Sequence, residues 1–184
     1  MSKQKSHGLK SSLSRVAKIH LAVAVILAAQ LIVYDAGKLI APDVVLKRWY
    51  GIGALAAVSA IALFFSRSRK SDNDLKKILW LLIIADIAFA SWSVYLERGM
   101  ASRAVLLYVI PIISSAILLR KGTIYLTGTL SVIAYIITTN AYFVNYFNEG
   151  YKLELYGEVL GYSALLLATS ALTWSIIKTK HNRI

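Results

Sequence analysis

Read from its N-terminus, the chain passes six times from a charged stretch into a long apolar run and out again. The runs occupy residues 19–40, 49–66, 78–96, 104–119, 122–148 and 155–177. They are continuous blocks, so neither the stripe of an amphipathic surface helix nor the alternation of a half-buried strand describes them. At ~1.5 Å rise per residue, about 20 residues cross the ~30 Å of bilayer hydrocarbon, and the fourth run does so only by using its flanks. Lipid offers backbone amides and carbonyls no partner, which leaves helices or closed barrels, and no strand-like alternation is present. The pattern predicts an all-α, polytopic membrane helix bundle with six transmembrane helices in residues 16–178, between a basic tail at 1–15 and a short tail at 179–184.

Composition sharpens this. Of 184 residues, 58% are hydrophobic and 16% charged, against ~45–50% and ~25% for soluble chains. A soluble domain is excluded, and with it a soluble nucleic-acid binder, despite 21 Lys+Arg against 9 Asp+Glu. The cations sort by segment. Lys3, Lys5, Lys10, Arg15 and Lys18, then Arg67, Arg69, Lys70, Lys76 and Lys77, then Arg120 and Lys121, and last Lys178, Lys180 and Arg183, alternate with segments poorer in them. By the positive-inside rule both termini are expected in the cytoplasm, in a multi-pass protein of the inner (plasma) membrane. Acids show the reverse bias, with Asp35, Asp43, Glu97, Glu149, Glu154 and Glu158 towards the outside. The first run is longer than a signal-peptide core and no small-x-small cleavage site follows it, so it is expected to stay as a span.

Little here supports catalysis. There is no cysteine and there are three histidines. His7 and His181 lie in the tails, and His20, near the inner end of the first span, is expected at a surface or interface. No HExxH, GxSxG or phosphate-cradling glycine loop occurs. A non-enzyme with no metal and no cofactor is expected. The bilayer itself is one partner, and a kinase, transporter or other membrane subunit, or a second copy of the chain, is another.

Four features carry candidate chemistry. Asp86 lies about 12 Å into the third span, where a carboxylate facing lipid costs several kcal/mol, so it is expected to face other helices or water. It is either a hydrogen-bonded packing residue or the polar centre of a proton, cation or ligand site; Ser93 shares its face, and Tyr135, Thr138, Thr139 and Asn140 are candidate partners. Tyr34, Tyr50, Tyr95, Tyr108, Tyr142, Tyr146, Tyr151 and Tyr156 all fall in the expected outer half. Such rings either anchor helices at the headgroups or, with Asp35, Glu97, Glu154 and Glu158, wall a cavity for a cationic or aromatic small molecule. Gly157, Gly161, Ala164, Ala168, Ala171 and Ser175 recur every three or four residues along the sixth span, a face bare enough for another helix to approach inside the bundle or at a dimer seam. Pro111 removes a backbone donor from the fourth span and predicts a kink near Leu107, static or serving as a hinge.

The stretch Leu107-Tyr108-Val109-Ile110-Pro111-Ile112-Ile113-Ser114-Ser115-Ala116, then Leu118-Leu119-Arg120-Lys121-Gly122 and Leu130-Ser131-Val132-Ile133-Ala134-Tyr135, resembles the N-terminal membrane-sensor region of bacterial histidine kinases. Leu153-Glu154-Leu155-Tyr156-Gly157 and the helix after it are similar to the end of such regions, so the likeness covers roughly residues 75 to 178. It implies a sensor acting on a dimerisation helix and a kinase domain. Here His181 is followed by Asn182-Arg183 rather than by that phosphorylation motif, and phosphotransfer by this chain is not expected. A relay to partner subunits is. Size and topology are also similar to the substrate-binding membrane subunits of energy-coupling-factor vitamin transporters, and a structural subunit of a membrane complex is the third alternative.

Overall fold

The structure is a computed structural model that describes residues 2–68, 71–99, 102–146 and 152–181. The described residues form α1 (Ser2–Ala36), α2 (Pro42–Arg67), α3 (Asp72–Leu96), a 3-10 turn (Arg103–Tyr108) leading into α4 (Val109–Ser115), then α5 (Lys121–Tyr146) and α6 (Lys152–His181). Among these residues five helices are long and apolar enough to cross a membrane, while the fourth segment, Arg103–Leu118, is shorter. Val25, Phe64, Ile84, Val144 and Leu160 all stand exposed on the long helices. Each would forfeit roughly 1.5–3 kcal/mol of burial in water and forfeits nothing in lipid.

The helix ends follow from local chemistry. After Ala36, Lys38 turns to φ +52°, and the amides of Gly37 and Leu39 close on the carbonyls of Val33 and Tyr34. Pro42 then opens α2 at a position whose N–H would have no acceptor. This helix begins well before Trp49, because Asp43, Lys47 and Arg48 interrupt the apolar run without interrupting the backbone ladder; Lys47 and Asp43 pair at 3.3 Å one turn apart. Before α3, the Ser71 hydroxyl donates to the Asp74 carboxylate at 2.9 Å and accepts from the Asp74 amide, a reciprocal cap. The basic residues from Ser2 onward are helical and continue into the first span without a break.

The chain divides into two compact units, residues 1–85 and 86–184, and α3 contributes to both. In the first unit α1 and α2 pack together along Leu13, Ala17, Ala24 and Leu31 of one and Ile52, Leu55, Ser59 and Ala62 of the other. His20 is buried here rather than at a surface, 2% exposed, its Nδ1 2.8 Å from the Val16 carbonyl one turn back. That contact gives a ring nitrogen a partner inside its own helix. In the second unit, Ala90 and Val94 of α3, Val105 and Tyr108 of the 3-10 turn, Ile112 of α4, Ile124 and Tyr135 of α5, and Leu166 of α6 form one buried cluster.

Candidate functional site

The second unit concentrates the polar chemistry, and the fourth segment shows how. Pro111 cannot donate to Leu107, and the amide of Val109 turns to the Leu106 and Leu107 carbonyls instead. The chain therefore runs as a tight 3-10 turn through Tyr108 and becomes α-helical only with Pro111 in the first turn of α4, where a missing donor costs least. That geometry buries the Tyr108 ring completely. Its hydroxyl lies 2.8 Å from the Ser91 hydroxyl on α3, and Thr138 of α5 approaches the same oxygen.

From Tyr108 an edge-to-face chain of rings crosses the unit: Tyr108 to Tyr135 at 6.1 Å between centroids, and Tyr135 to Tyr162 of α6 at 5.9 Å. Tyr135 belongs to one face of α5, with Ile124, Thr127, Gly128, Ser131, Thr139 and Phe143, all buried at intervals of three and four. Gly128 lets α6 come close: a Cβ there would run into the Ser170 hydroxyl and stand 3.0 Å from the Ser170 Cβ. The α5–α6 seam is thus built on small and hydroxyl-bearing residues, the means by which membrane helices approach closely.

A second ring cluster lies at the Tyr146 end of α5. Tyr95 of α3 sits edge-on to Tyr142 at 5.7 Å and to Tyr146 at 6.4 Å, and Asn145 donates to the Tyr95 hydroxyl at 3.3 Å. Gly99, at φ +61°, leaves the space the Tyr142 ring fills; a Cβ there would meet that ring at 2.8 Å. Close by in sequence, Ser102 donates to the Glu97 carboxylate at 3.2 Å and caps the turn that follows by accepting from Ala104.

The ten candidate ligand residues separate between the units. Tyr34 and Asp35 belong to the first, where Gln30 donates to the Tyr34 hydroxyl at 2.7 Å and a depression of about 560 Å³ lies among Asp35, Lys38, Leu39, Ile40, Ala41 and Pro42. Asp86, Tyr95, Glu97, Tyr108, Asn140, Tyr142, Glu154 and Glu158 belong to the second. Among these, Tyr108 joins the ring chain with Tyr135 and Tyr162, and Tyr95 and Tyr142 the cluster at the Tyr146 end of α5. Asp86 is 3% exposed, one turn before Ala90 on the same face of α3. Asn140, Glu154 and Glu158 have exposed side chains, although Glu158 is near enough to Tyr135 to act on it electrostatically. Gly157, Gly161, Ala164 and Ala168 are exposed on α6, and a Cβ at Gly157 or Gly161 would meet nothing within 4 Å. Glu149, Tyr151, Arg69, Lys70 and Arg183 lie outside the described residues, as do the side chains of His7, Lys180 and His181. No group of three or more metal-ligating side chains occurs among the described residues.

Sequence reasoning passed over Tyr162, Ser163, Ser131 and the Gly128–Ser170 contact. The spacing Gly128, Ser131, Tyr135, Thr139 was a readable signal on α5; on α6 the small residues Gly157, Gly161, Ala164 and Ala168 drew the reading to an exposed face, while the buried Leu166 and Ser170 face α5.

An all-helical, multi-span membrane domain with its polar core between helices is the class defined by this arrangement. The chain belongs to the PilS-like transmembrane domain family, whose six-span profile matches residues 3–182. That membership supports a membrane sensor-like role. No curated protein and no solved structure matches the chain.

Proposed function

We propose that the chain is a non-enzymatic sensor module that relays a condition outside or within the membrane to a partner protein, a kinase being the partner class the family favours. The family match over residues 3–182 carries this reading. The polar interior of the second unit supports it, because hydroxyls and rings held within an apolar bundle are where a change in ligand or lipid would be felt. The distribution of basic residues supports an orientation with both termini in the cytoplasm. The mechanism is differential: a signal must favour one packing of the helices over another, since equal affinity for both transmits nothing. The transporter-subunit alternative draws on size and topology alone and has no comparable support.

The test is genetic and biochemical. Cells that make the protein, cells lacking it, and cells complemented with the wild-type chain are compared for phosphorylation of their response regulators on phosphate-affinity gels. The reading expects at least one regulator to change on deletion and to recover on complementation. Unchanged phosphorylation of every regulator would contradict it.

A further inference from the structure

Hydroxyls inside membrane helices ordinarily close on the carbonyl one turn back. Ser59 donates to Leu55, Ser91 to Ile87, Thr127 to Thr123, Thr169 to Leu165 and Ser170 to Leu166, all between 2.7 and 3.0 Å. Among the described residues Ser131, Thr139 and Ser163 make no such bond, and Tyr135 has no local option because its hydroxyl is too far from its own backbone. Ser131, Tyr135, Thr139 and Ser163 each hold a buried oxygen with no hydrogen-bond partner. The departures gather in one place. Ser131, Tyr135 and Thr139 succeed one another on the buried face of α5, all 0% exposed, and Ser163 sits beside Tyr162, whose ring touches that of Tyr135. The hydroxyls of Tyr135 and Thr139 are close enough to act on each other.

A buried hydroxyl without a partner is costly, more so where no solvent is near. Four in one seam penalise the closed packing repeatedly, beside the close Gly128–Ser170 contact of α5 and α6. The seam ends near Glu158, an exposed carboxylate on α6 that acts on Tyr135. We propose that the α5–α6 seam exchanges between the closed packing and a more open, hydrated one, in which water enters from the Glu158 end and bonds the hydroxyls of Thr139, Tyr135, Ser163 and Ser131. Water suits the site: it donates and accepts, needs two to four polar partners, and is small enough to enter between two helices. Under the sensor reading, on which this step rests, the dry-to-wet exchange is the two-state element that a signal biases.

The chain has no cysteine, so single thiols report directly on water. Thr139→Cys, Ser131→Cys and Ser163→Cys, near-isosteric changes, are made in the full-length chain in lipid nanodiscs and treated with 2-aminoethyl methanethiosulfonate. Ile124→Cys and Leu166→Cys serve as dry interior controls, and Ile137→Cys, on an exposed apolar position, as the lipid control. Only a hydrated thiol ionises and reacts, so the hydroxyl-site cysteines are expected to label at least roughly tenfold faster than all three controls. Adding Tyr135→Phe removes an oxygen that penalises the dry state; it should raise the melting temperature and slow labelling at Thr139→Cys. Labelling as slow as at Leu166→Cys, with no effect of Tyr135→Phe, would overturn the hydrated seam. Because this readout involves no signal and no partner, such a failure beside an intact phosphorylation response overturns the seam and leaves the sensor reading standing.

Discussion

Gly128 and Ser170 fix how closely α5 and α6 approach, and the contact gives a definite prediction for Gly128→Ala. In an isolated helix the added methyl stabilises by about 1 kcal/mol. Here it runs into the Ser170 hydroxyl and lies 3.0 Å from the Ser170 Cβ, and overpacking of a tight core costs about 1–3 kcal/mol. Ser170 cannot yield freely, because its hydroxyl is held on the Leu166 carbonyl at 3.0 Å, a bond worth about 0.5–1.5 kcal/mol. The opposing effects leave Gly128→Ala destabilised by roughly 0–2 kcal/mol, rising to roughly 3.5 kcal/mol if the Ser170 bond is lost as well. The double-mutant cycle with Ser170→Gly removes the ambiguity, since deleting the Ser170 side chain makes room for the methyl. The pair should be more stable than the sum of the single changes by about 1–3 kcal/mol. Reversible unfolding in mixed micelles, followed by tryptophan fluorescence, measures all four corners. Additivity within about 0.5 kcal/mol would refute the direct contact, and with it the packing on which the polar seam is built.

Three further outcomes are expected. Tyr108→Phe loses the bond to Ser91 and leaves its partner to close on Ile87 alone, which should destabilise by about 1 kcal/mol in the same unfolding assay. Gly99→Ala meets a backbone at φ +61° and the Tyr142 ring at once, so it should cost at least about 1 kcal/mol and change the near-ultraviolet dichroism of the tyrosines. Glu158→Gln, at an exposed position, should leave the melting temperature within a degree or two while altering the phosphorylation response, a separation that a purely structural role would not produce.

The six apolar blocks were legible as helices because lipid permits so little else, and the family match bears out the six-span architecture. The helix limits were less so. Asp43, Lys47 and Arg48 end the apolar run and leave the helix intact, since a charged side chain at a membrane boundary points into water while its backbone bonds continue. Pro111 announced a break, and the 3-10 turn before it is the form that break takes. Of the candidate site, Tyr108, Tyr95 and Tyr142 proved to belong to ring clusters, whereas their partners Tyr135, Tyr146 and Tyr162 follow only from which faces meet. Those faces were hidden because the polar residues of α6, Glu158, Ser163, Thr169 and Ser170 among them, are spread among apolar ones: a helix bathed in lipid needs no stripe to declare its packing side. The exposed run Gly157, Gly161, Ala164 and Ala168 makes the same point in reverse, since small residues mark where a helix can be approached and do not name what approaches it.

Whether the short fourth segment completes a sixth crossing is decided by where the two ends lie. Cysteines placed singly at the exposed positions Ser11 and Thr179, in a chain that has none of its own, are labelled with an impermeant maleimide in sealed, right-side-out vesicles and again after lysis. Six crossings put both ends on one face of the bilayer, and with that face cytoplasmic, as proposed above, both are protected before lysis and reactive after it. Labelling of one end and protection of the other would mean an odd number of crossings and would contradict the six-span architecture.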